Sequence, residues 1–291
     1  MSKPVIVYLN GKYLAIEDAH VSVLDRGFIF GDGVYEVIPA YGGYPLRLEH
    51  HLQRLQNSLD AIRLGNPHSE TEWTNIITSL IAKNEGDDQY IYLQVTRGVA
   101  KRDHRFPDSN TPTVFVMSSP LLPVDSELLK NGVSAITLDD IRWRYCNIKT
   151  TALLGNVLLR QQAVEQDAAE AILIRDNEVT EGAASNLFIV LNGTIITPPK
   201  SDLLLPGITR DLVVELAHHH QLACEEHTIT AEELSQAEEV WVTSSTKEIL
   251  PVTKLDGKAV GDGMPGKVWH NMYQLYQDNK VQLRQGKDIN A

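Results

Sequence analysis

The stretch Arg142-Trp143-Arg144-Tyr145-Cys146-Asn147-Ile148-Lys149-Thr150-Thr151 decides how this chain is interpreted. Its aromatic and aliphatic residues predict a strand that ends on Lys149. The apolar residues that follow at helical spacing predict a buried helix: Leu153, Leu154, Val157 and Leu158. Lysine is rarely buried unless it is paired or chemically used, so Lys149 lies in an unusual place. A lone lysine there is more often a side chain whose amine reaches solvent, so the rest of the sequence has to decide.

Two later stretches of the sequence favour a chemical role for Lys149. Residues 179–186, Val-Thr-Glu-Gly-Ala-Ala-Ser-Asn, present Glu181 in a predicted turn, and residues 205–211, Leu-Pro-Gly-Ile-Thr-Arg-Asp, begin a helix after Gly207. A pyridoxal phosphate enzyme needs a lysine for the Schiff base, an acid at the pyridine nitrogen and a helix N-terminus for the phosphate. The sequence therefore predicts a pyridoxal phosphate site.

Composition narrows the function classes. The chain has 291 residues, enough for one large or two ordinary domains, and a formal net charge of −12. That charge argues against nonspecific binding to nucleic acid or anionic membranes. The two cysteines, Cys146 and Cys224, have no disulfide or metal spacing, so we expect no metal and a reducing, cytoplasmic location. We see no signal peptide and no apolar run long enough for a membrane span.

The order of predicted elements favours antiparallel or mixed sheets. Asn10-Gly11 and Asn192-Gly193 each separate two strand-like runs and predict hairpins. No glycine-rich dinucleotide fingerprint follows a strand, so a doubly wound nucleotide fold is not expected. We predict a smaller N-terminal α+β domain over residues 1–118, a connection over 119–131 and a larger C-terminal domain over 132–291 that carries Lys149.

Two basic features can be interpreted in more than one way. Leucines at helical spacing from Leu48 to Leu59 predict an amphipathic helix, with Arg54 at the edge of its buried face. Arg54 is either a surface ion pair or an anion ligand, with similar weight from the sequence alone. The loop over residues 98–110 is basic and aromatic, and it is either solvated or anion-binding.

Taken together, six stretches resemble the fold-type IV pyridoxal phosphate enzymes, the family of D-amino-acid and branched-chain aminotransferases. They are residues 31–37, 49–55, 180–186, 207–211 and 244–249, together with Lys149 in its setting. The similarity covers nearly the whole chain. It implies an α+β fold with a smaller α/β N-terminal domain and a larger C-terminal domain that has a barrel-like mixed sheet.

The resemblance is greatest to the D-amino-acid subgroup. Cys146-Asn147-Ile148-Lys149 resembles that subgroup's Cys-Asp-Ile-Lys, and Arg102-Asp103-His104 resembles its arginine-x-histidine loop. The resemblance implies that Tyr35, Arg102 and His104 bind the α-carboxylate of the substrate. In the family this loop comes from the partner subunit, which implies a homodimer. Asn147 in place of the acid and Ala183-Ala184 in place of common serines depart from the pattern.

The resemblance also gives the cofactor site. Lys149 would form the Schiff base and Glu181 would keep the pyridine nitrogen protonated. The expected cofactor-binding residues are Arg54, Lys149, Glu181, Leu205, Gly207, Ile208, Thr209, Ser244, Ser245 and Thr246. From the residues alone, Gly207-Ile208-Thr209 is equally well explained as a plain helix cap.

The expected activity is a transamination that follows ping-pong kinetics. An amino group would pass from a D-amino acid such as D-alanine to a 2-oxo acid such as 2-oxoglutarate. A branched-chain L-amino-acid aminotransferase is the first alternative, although the Arg102 and His104 pair argues against it. An aminodeoxychorismate lyase and a non-catalytic binding protein are further alternatives.

Overall fold

The computed structural model describes residues 4–109 and 111–287, and these divide into two compact units. The first unit contains the described residues up to Leu122 together with Ile148–Leu153 and Leu283–Lys287. The second unit contains Pro123–Asn147 and Leu154–Gln282. Lys149 therefore belongs to a short segment, Ile148–Leu153, that is part of the first unit. The residues that flank this segment in the sequence belong to the second unit.

The first unit is built on an antiparallel sheet. Its strands are β1 Ile6–Leu9, β2 Lys12–Ala15, β3 Gly33–Tyr41, β4 Tyr44–Pro45, β5 Gln89–Thr96 and β6 Thr113–Pro120. Its helices are α1 Arg26–Phe30, α2 Leu48–Ala61 and α3 Glu70–Lys83. The strand order is β2-β1-β6-β5-β3-β4, and every neighbouring pair is antiparallel. The predicted hairpin at Asn10-Gly11 is present, with φ values of 47° and 89° at the two turn residues.

Alternation along β3 places two sets of side chains on opposite faces of this sheet. Val34, Glu36 and Ile38 are completely buried, whereas Tyr35 and Val37 are half-buried. The predicted stripe on α2 is confirmed, since Leu52, Leu55 and Leu59 lie in the core of this unit. A polar group, Glu36, therefore shares the buried face of β3 with aliphatic side chains.

The second unit contains a mixed sheet of ten strands. They are β7 Val133–Asp139, β8 Glu170–Arg175, β9 Glu178–Gly182, β10 Asn186–Leu191, β11 Thr194–Thr197, β12 Cys224–Glu226, β13 Ile229–Thr230, β14 Glu239–Ser244, β15 Glu248–Leu255 and β16 Lys258–Ala259. The order is β12-β11-β10-β14-β15-β7-β8-β9-β13, with β16 beside β15. Three neighbouring pairs are parallel, β7 with β8, β7 with β15 and β11 with β12.

Helices complete the second unit. They are α4 Ser126–Asn131, α5 Leu154–Glu165, α6 Ile208–His219, α7 Ala231–Gln236 and α8 Lys267–Leu283. The hairpin predicted at Asn192-Gly193 joins β10 and β11, and Leu191 faces Thr194 across it. In the parts of the chain described, every helix falls short of the length or the hydrophobicity that a membrane span requires.

Three local expectations are wrong. Residues 142–149 form no strand, because Trp143 and Tyr145 are exposed and pack on each other and not on a neighbouring strand. The helix after Lys149 begins only at Leu154, and the apolar side chains predicted to be buried are exposed: Leu154, Val157 and Leu158. This helix buries Leu159 and Ala163, one turn apart on a different face. The predicted turn around Glu181 is the end of strand β9.

Candidate functional site

In the first unit, the backbone of Lys149 is fixed on both sides. Its carbonyl accepts a hydrogen bond from the Tyr35 N–H at 2.9 Å, and its own N–H donates to the Ser58 hydroxyl at 3.2 Å. The amine Nζ lies 4.4 Å from the centroid of the Tyr35 ring. Tyr35 in turn stacks on Tyr92, with centroids 5.7 Å apart. The structure thus brings together Lys149 and Tyr35, two of the residues predicted from the sequence.

A buried ion cluster surrounds Arg54 on the same unit. Glu36 accepts two hydrogen bonds from Arg54, from Nε to Oε1 and from Nη2 to Oε2, each at 2.8 Å. The Nδ1 atom of His51 lies 2.8 Å from Glu36 Oε2. Arg54 is 5% exposed and Glu36 is fully buried, so the surface ion pair considered from the sequence is wrong. This two-point contact fixes the plane of the guanidinium group.

The electrostatics of this cluster follow from burial and pairing. Burial would raise the pKa of Glu36, but the charge and hydrogen bonds of Arg54, together with His51, hold it well below its ordinary value. Burial lowers the pKa of His51, and Glu36 only partly opposes this. Glu36 is therefore ionised and His51 is neutral near pH 7.

The loop that carries Arg102 and His104 also belongs to the first unit. Both side chains are exposed. The His104 ring lies 5.4 Å from the ring of Phe30, and the guanidinium carbon of Arg102 lies 5.4 Å from the same centroid. Arg102 and His104 are thus grouped around one aromatic side chain at the end of α1, and they present a cation and an imidazole at the surface.

In the second unit, Glu181 is 5% exposed and lies in an ion-pair network. One carboxylate oxygen accepts a hydrogen bond from Nη1 of Arg142. The other oxygen accepts from the Leu205 N–H at 3.0 Å and from the Asn186 amide at 3.1 Å. Arg142 is held by Asp140 through two bonds of 2.9 Å. Glu181 is therefore a fixed, buried carboxylate, which the sequence reasoning expected on the grounds of its neighbours.

The electrostatics of Arg142 and Asp140 are coupled. Burial opposes the charge of Arg142, but hydrogen bonds and charge from Asp140 and Glu181 raise its pKa above the ordinary value. Burial would raise the pKa of Asp140, but Arg142 and Arg175 lower it below its ordinary value. Arg142 and Asp140 therefore remain ionised near neutral pH.

Asn186 connects Glu181 to the start of α6. Its amide donates to Glu181 and to the Leu205 carbonyl, the latter at 2.8 Å. A Cβ atom at Gly207 would lie 1.9 Å from the Asn186 side-chain oxygen, so any other residue there would displace the Asn186 side chain. Gly207 is the N-cap of α6, and no side chain caps the first amides of this helix from that position. The structure therefore brings Glu181, Leu205 and Gly207 together.

The remaining predicted residues lie at two element ends of the second unit. Ile208 and Thr209 are the first two residues of α6, and both are buried. Ser244, Ser245 and Thr246 are half-buried at the end of β14. Thr243, just before them, faces Asn186 across the sheet.

The two departures from the family pattern also lie in the second unit. The Asn147 amide donates to Asp202 at 2.8 Å. Ala183 is buried, and its carbonyl accepts a hydrogen bond from Asn156, whereas Ala184 is exposed. Asn147 therefore bonds another side chain, whereas Ala183 contributes its backbone carbonyl.

Sequence reasoning missed four residues that hold predicted ones: Glu36, His51, Arg142 and Asn186. The first two could have been suspected, because Glu36 alternates with buried aliphatic residues on β3 and His51 shares a helix stripe with Arg54. Arg142 carried no local signal for this role, since Glu181 lies 39 residues farther along the chain. Asn186 is only five residues from Glu181, but nothing in the sequence showed that the two side chains bond.

The donor set fits pyridoxal phosphate. An amine at Lys149 can condense with an aldehyde, the buried carboxylate of Glu181 can partner a pyridinium nitrogen, and the start of α6 suits an anion. Arg54 keeps a fixed guanidinium plane, which suits a phosphate. Within residues 4–109 and 111–287, no group of three or more His, Cys, Asp or Glu side chains could hold a metal ion.

Comparison with known proteins identifies relatives over nearly the full chain. The family model for amino-transferase class IV matches residues 33–255. A D-alanine aminotransferase of Bacillus licheniformis is 42% identical over 273 residues, 94% of this chain and 96% of that protein. One from Staphylococcus epidermidis is 39% identical over 271 residues, 93% of this chain and 96% of that protein.

Solved structures show the same architecture. The crystal structure of a branched-chain amino acid aminotransferase from Escherichia coli superposes with a TM-score of 0.90 at 28% identity, covering 95% of this chain and 94% of that one. The T.th. branched-chain amino acid aminotransferase, solved with pyridoxamine 5'-phosphate, gives a TM-score of 0.90 at 27% identity, covering 96% and 95%.

Proposed function

Since the chain belongs to the class IV aminotransferase family, we propose that it transfers the amino group of a D-amino acid to a 2-oxo acid. The predictions of a fold-type IV architecture, of pyridoxal phosphate as cofactor and of an aminotransferase are confirmed. D-Alanine and 2-oxoglutarate are the representative donor and acceptor. The first product, a 2-oxo acid, leaves before the second substrate binds, so the kinetics are ping-pong.

One observation carries the choice of a D-amino acid. D-Alanine aminotransferases are 37–42% identical to this chain over at least 92% of its length, whereas the two branched-chain enzymes of known structure are 27–28% identical. A branched-chain L-amino-acid activity on the same fold is the weaker candidate. Transfer is favoured over lyase chemistry and over non-catalytic binding because the named relatives are aminotransferases.

Lys149 is the proposed catalytic base. When bound, pyridoxal phosphate supplies an electron sink for the electron pair left on the substrate Cα. The amine of Lys149 would hold the cofactor through its aldehyde group and, when released, would carry the proton that leaves the substrate Cα. The two backbone bonds from Tyr35 and to Ser58 fix where that amine starts.

Glu181 is proposed to hold a proton on the pyridine nitrogen. Its carboxylate is buried and accepts hydrogen bonds from Arg142, from Asn186 and from the Leu205 N–H, so its orientation is fixed. A negative charge fixed beside that nitrogen favours the protonated ring. Leu205 is proposed to pack against a face of the ring.

The phosphate is proposed to bind at several donors. Arg54 contributes a charge-assisted hydrogen bond, and the amides of Ile208 and Thr209 at the start of α6, after Gly207, favour an anion through the helix dipole. Residues 244–246 add hydroxyl or amide donors. The fixed guanidinium plane of Arg54 supports this proposal. The N-cap of α6 supports it too, because Gly207 has no side chain that could cap the first turn.

Handedness is proposed to follow from the carboxylate anchor. Tyr35, Arg102 and His104 bind the α-carboxylate, which fixes which enantiomer presents its Cα proton to Lys149. Support comes from the contact between Tyr35 and the Lys149 amine and from the exposed cationic loop.

A homodimer with a loop from the partner subunit completes the proposal. Large apolar side chains remain exposed on both units, at Phe28 in the first and at Leu154 and Val157 in the second. Such side chains favour burial against another protein surface. The predicted domains, 1–118 and 132–291 with a connection over 119–131, stay part of this proposal.

A cytoplasmic location is also proposed. Cys146 and Cys224 are free thiols, and burial raises the pKa of each to about 11. Thiols that stay protonated are slow to form disulfides, as suits a reducing compartment.

Single-turnover spectroscopy tests the proposed function. Cofactor-loaded protein is mixed in turn with D-alanine, L-alanine and L-leucine, and the visible absorbance band of the bound cofactor is followed. We expect D-alanine to remove the band and 2-oxoglutarate to restore it. Loss of the band with L-leucine and none with D-alanine would establish the branched-chain alternative.

A further inference from the structure

We propose that Arg26 is a positioning residue that holds the loop carrying Arg102 and His104 in the geometry that receives the substrate carboxylate. This inference rests on the proposed function of that loop. Arg26 is 3% exposed although it begins the short helix α1, and the proposed chemistry does not use it. A buried cation outside the proposed chemistry requires a physical explanation.

The guanidinium of Arg26 donates directly to the backbone of the loop. Its Nη1 atom lies 2.6 Å from the Asp103 carbonyl and 3.4 Å from the Arg105 carbonyl. These carbonyls lie on either side of His104, and Asp103 also follows Arg102 directly. One buried cation therefore fixes the peptide groups around both proposed carboxylate ligands.

Arg26 is itself held rigidly. Its Nε atom donates to Asp32 at 2.7 Å, and Arg97 donates to the same carboxylate at 2.9 Å. The guanidinium of Arg97 lies 3.8 Å from the centroid of Phe106, farther along the loop. One carboxylate thus joins two buried arginines, and each arginine contacts a different part of the loop. Asp32 offsets part of their positive charge and fixes their planes.

The base of the loop and its aromatic support come from the same segment. The Arg26 N–H donates to the Gly98 carbonyl at 2.9 Å. The guanidinium carbon of Arg26 lies 4.8 Å from the Phe30 centroid, on the ring that also contacts Arg102 and His104. The backbone and the side chains of the loop are therefore both ordered from α1.

Such an arrangement acts on binding and not on the chemical step. An exposed, charged loop is ordinarily mobile, and ordering it only when substrate arrives would weaken binding. Backbone bonds from a buried arginine order it beforehand. Loss of Arg26 is therefore expected to raise the KM for the amino acid, while kcat and cofactor affinity change little.

The first experiment measures KM and kcat for D-alanine in Arg26→Gln and Arg26→Lys. Glutamine loses the charge and the fork of donors, so we expect KM to rise about ten- to a hundredfold, the scale of an ångström-sized misplacement, with kcat within about twofold. Lysine keeps the charge beside Asp32 but offers fewer directed donors, so its KM should be intermediate. A fall in kcat with KM unchanged would overturn the proposal.

A double-mutant cycle shows whether Arg26 acts through the loop. Arg102→Ala alone should raise KM, and adding Arg26→Gln to it should raise KM by clearly less than it does in the wild type. Full additivity would mean that Arg26 acts elsewhere, which also overturns the proposal. An Arg102→Ala variant with normal KM would remove the carboxylate role of the loop, and the inference would fall with it.

Limited trypsin digestion reports on the loop without any activity. Arg26→Gln should speed cleavage after Lys101, Arg102 or Arg105 in the folded, cofactor-loaded protein. Faster cleavage with an unchanged KM would leave an anchor without a positioning role and overturn the proposal. If the wild type does not act on D-amino acids, the proposed function fails even where digestion shows that the anchor exists.

Two control variants separate positioning from general destabilisation. Ser118→Ala removes the hydrogen bond that the buried Ser118 hydroxyl donates to the buried Gln89 side chain, near the end of β6 in the same unit, so its Tm should fall while KM and cleavage stay normal. Arg105→Gln changes an exposed loop arginine whose guanidinium lies 3.6 Å from the exposed carboxylate of Asp108, and it should leave both Tm and KM unchanged. An equal rise in KM for Ser118→Ala would identify the effect of Arg26→Gln as loss of stability and overturn the proposal.

Discussion

The two units each bury an arginine against a carboxylate, but the proposed functional partner differs. In the first unit Arg54 is the proposed phosphate ligand and Glu36 holds it. In the second unit Glu181 is the proposed cofactor ligand and Arg142 holds it. We call the residue that orients the proposed ligand the holder, Glu36 in the first unit and Arg142 in the second. A second polar group bonds each holder: His51 bonds Glu36, and Asp140 bonds Arg142. A buried ion pair therefore marks a rigid site but does not by itself identify the member that meets the ligand.

The physical reason is the cost of moving charge out of water. A single buried ion is strongly unfavourable, so a functional charge in a dry site needs a partner of opposite sign. The partner also fixes orientation, because the guanidinium and carboxylate groups are planar and bond at two points. The comparison predicts that changing the functional member impairs its own role, which is turnover for Glu181 and cofactor binding for Arg54. Changing the holder should weaken that role indirectly and lower stability.

The largest expected effect is at the functional carboxylate of the second unit. Glu181→Gln keeps the size of the side chain but removes its charge, so turnover should fall by about 10²–10³-fold, the scale for one pre-organised electrostatic group. The cofactor should remain bound. Turnover with D-alanine and cofactor content are measured, with Glu178→Gln as an exposed control on the same strand. Normal turnover would remove the role assigned to Glu181.

The next effect is at the holder of the first unit. Glu36→Gln leaves the buried Arg54 uncompensated, so we expect a loss of about 3–5 kcal/mol of stability, as for breaking other buried pairs. The apoprotein should also bind pyridoxal phosphate more weakly, because the guanidinium plane is no longer fixed. Denaturant unfolding and cofactor titration by fluorescence measure the two. Glu49→Gln, exposed on α2, is the control and should change neither. Weaker turnover with unchanged affinity would reverse the assignment of holder and ligand.

A smaller effect is expected where the second unit links its carboxylate to a helix start. Gly207→Ala places a methyl group on the Asn186 oxygen, so the side chain must shift and its hydrogen bond to Glu181 is strained. We expect a loss of about 1–3 kcal/mol, the scale of an overpacked site. Gly65→Ala meets open space and should be neutral. Calorimetry compares the two variants, and equal Tm values would show that Gly207 is replaceable.

The smallest effect is a pH dependence that the first unit has through His51. Burial lowers its folded pKa below the ordinary value near 6.5, so below that pH the unfolded chain binds a proton that the folded chain does not. Stability should therefore fall as the pH drops from about 7.5 to 5.5, by at most about 1.4 kcal/mol per pH unit for this group. Thermal unfolding across this range should show a shallower fall in His51→Gln. An identical slope would mean that His51 titrates normally.

Much of the fold was predictable because its signals are local. Asn10-Gly11 adopts the positive φ values that a tight hairpin requires. The local patterns Ser69-Glu70-Thr71-Glu72 and Thr230-Ala231-Glu232-Glu233 form capping boxes that begin α3 and α7. The stretch around Trp143 was misjudged, because an aromatic run resembles a strand whether or not a partner strand covers it. Apolar spacing also predicted α5 but not which of its faces would be buried.

The site was predictable only in part, for the same reason. Lys149 and Glu181 were singled out by residue type and by stretches that resemble the family, although the strand and the turn predicted around them are wrong, and only Gly207 lies in the predicted local setting, before a helix. Glu36 is 18 residues from Arg54, and the loop carbonyl at Asp103 is 77 residues from Arg26. No sequence spacing encodes such a pair, since its partners meet only after the sheet and helices have packed.

The sequence by itself determined the reactive groups, the turns and the helix starts, because these depend on residue type and on neighbours within about four positions. Only the tertiary structure decided which charge lies beside which, and so that Glu36 orients Arg54, Arg142 orients Glu181 and Arg26 holds a distant loop. The reason is physical. The free energy of a buried charge depends on the groups within a few ångströms in space, and chain folding sets those neighbours.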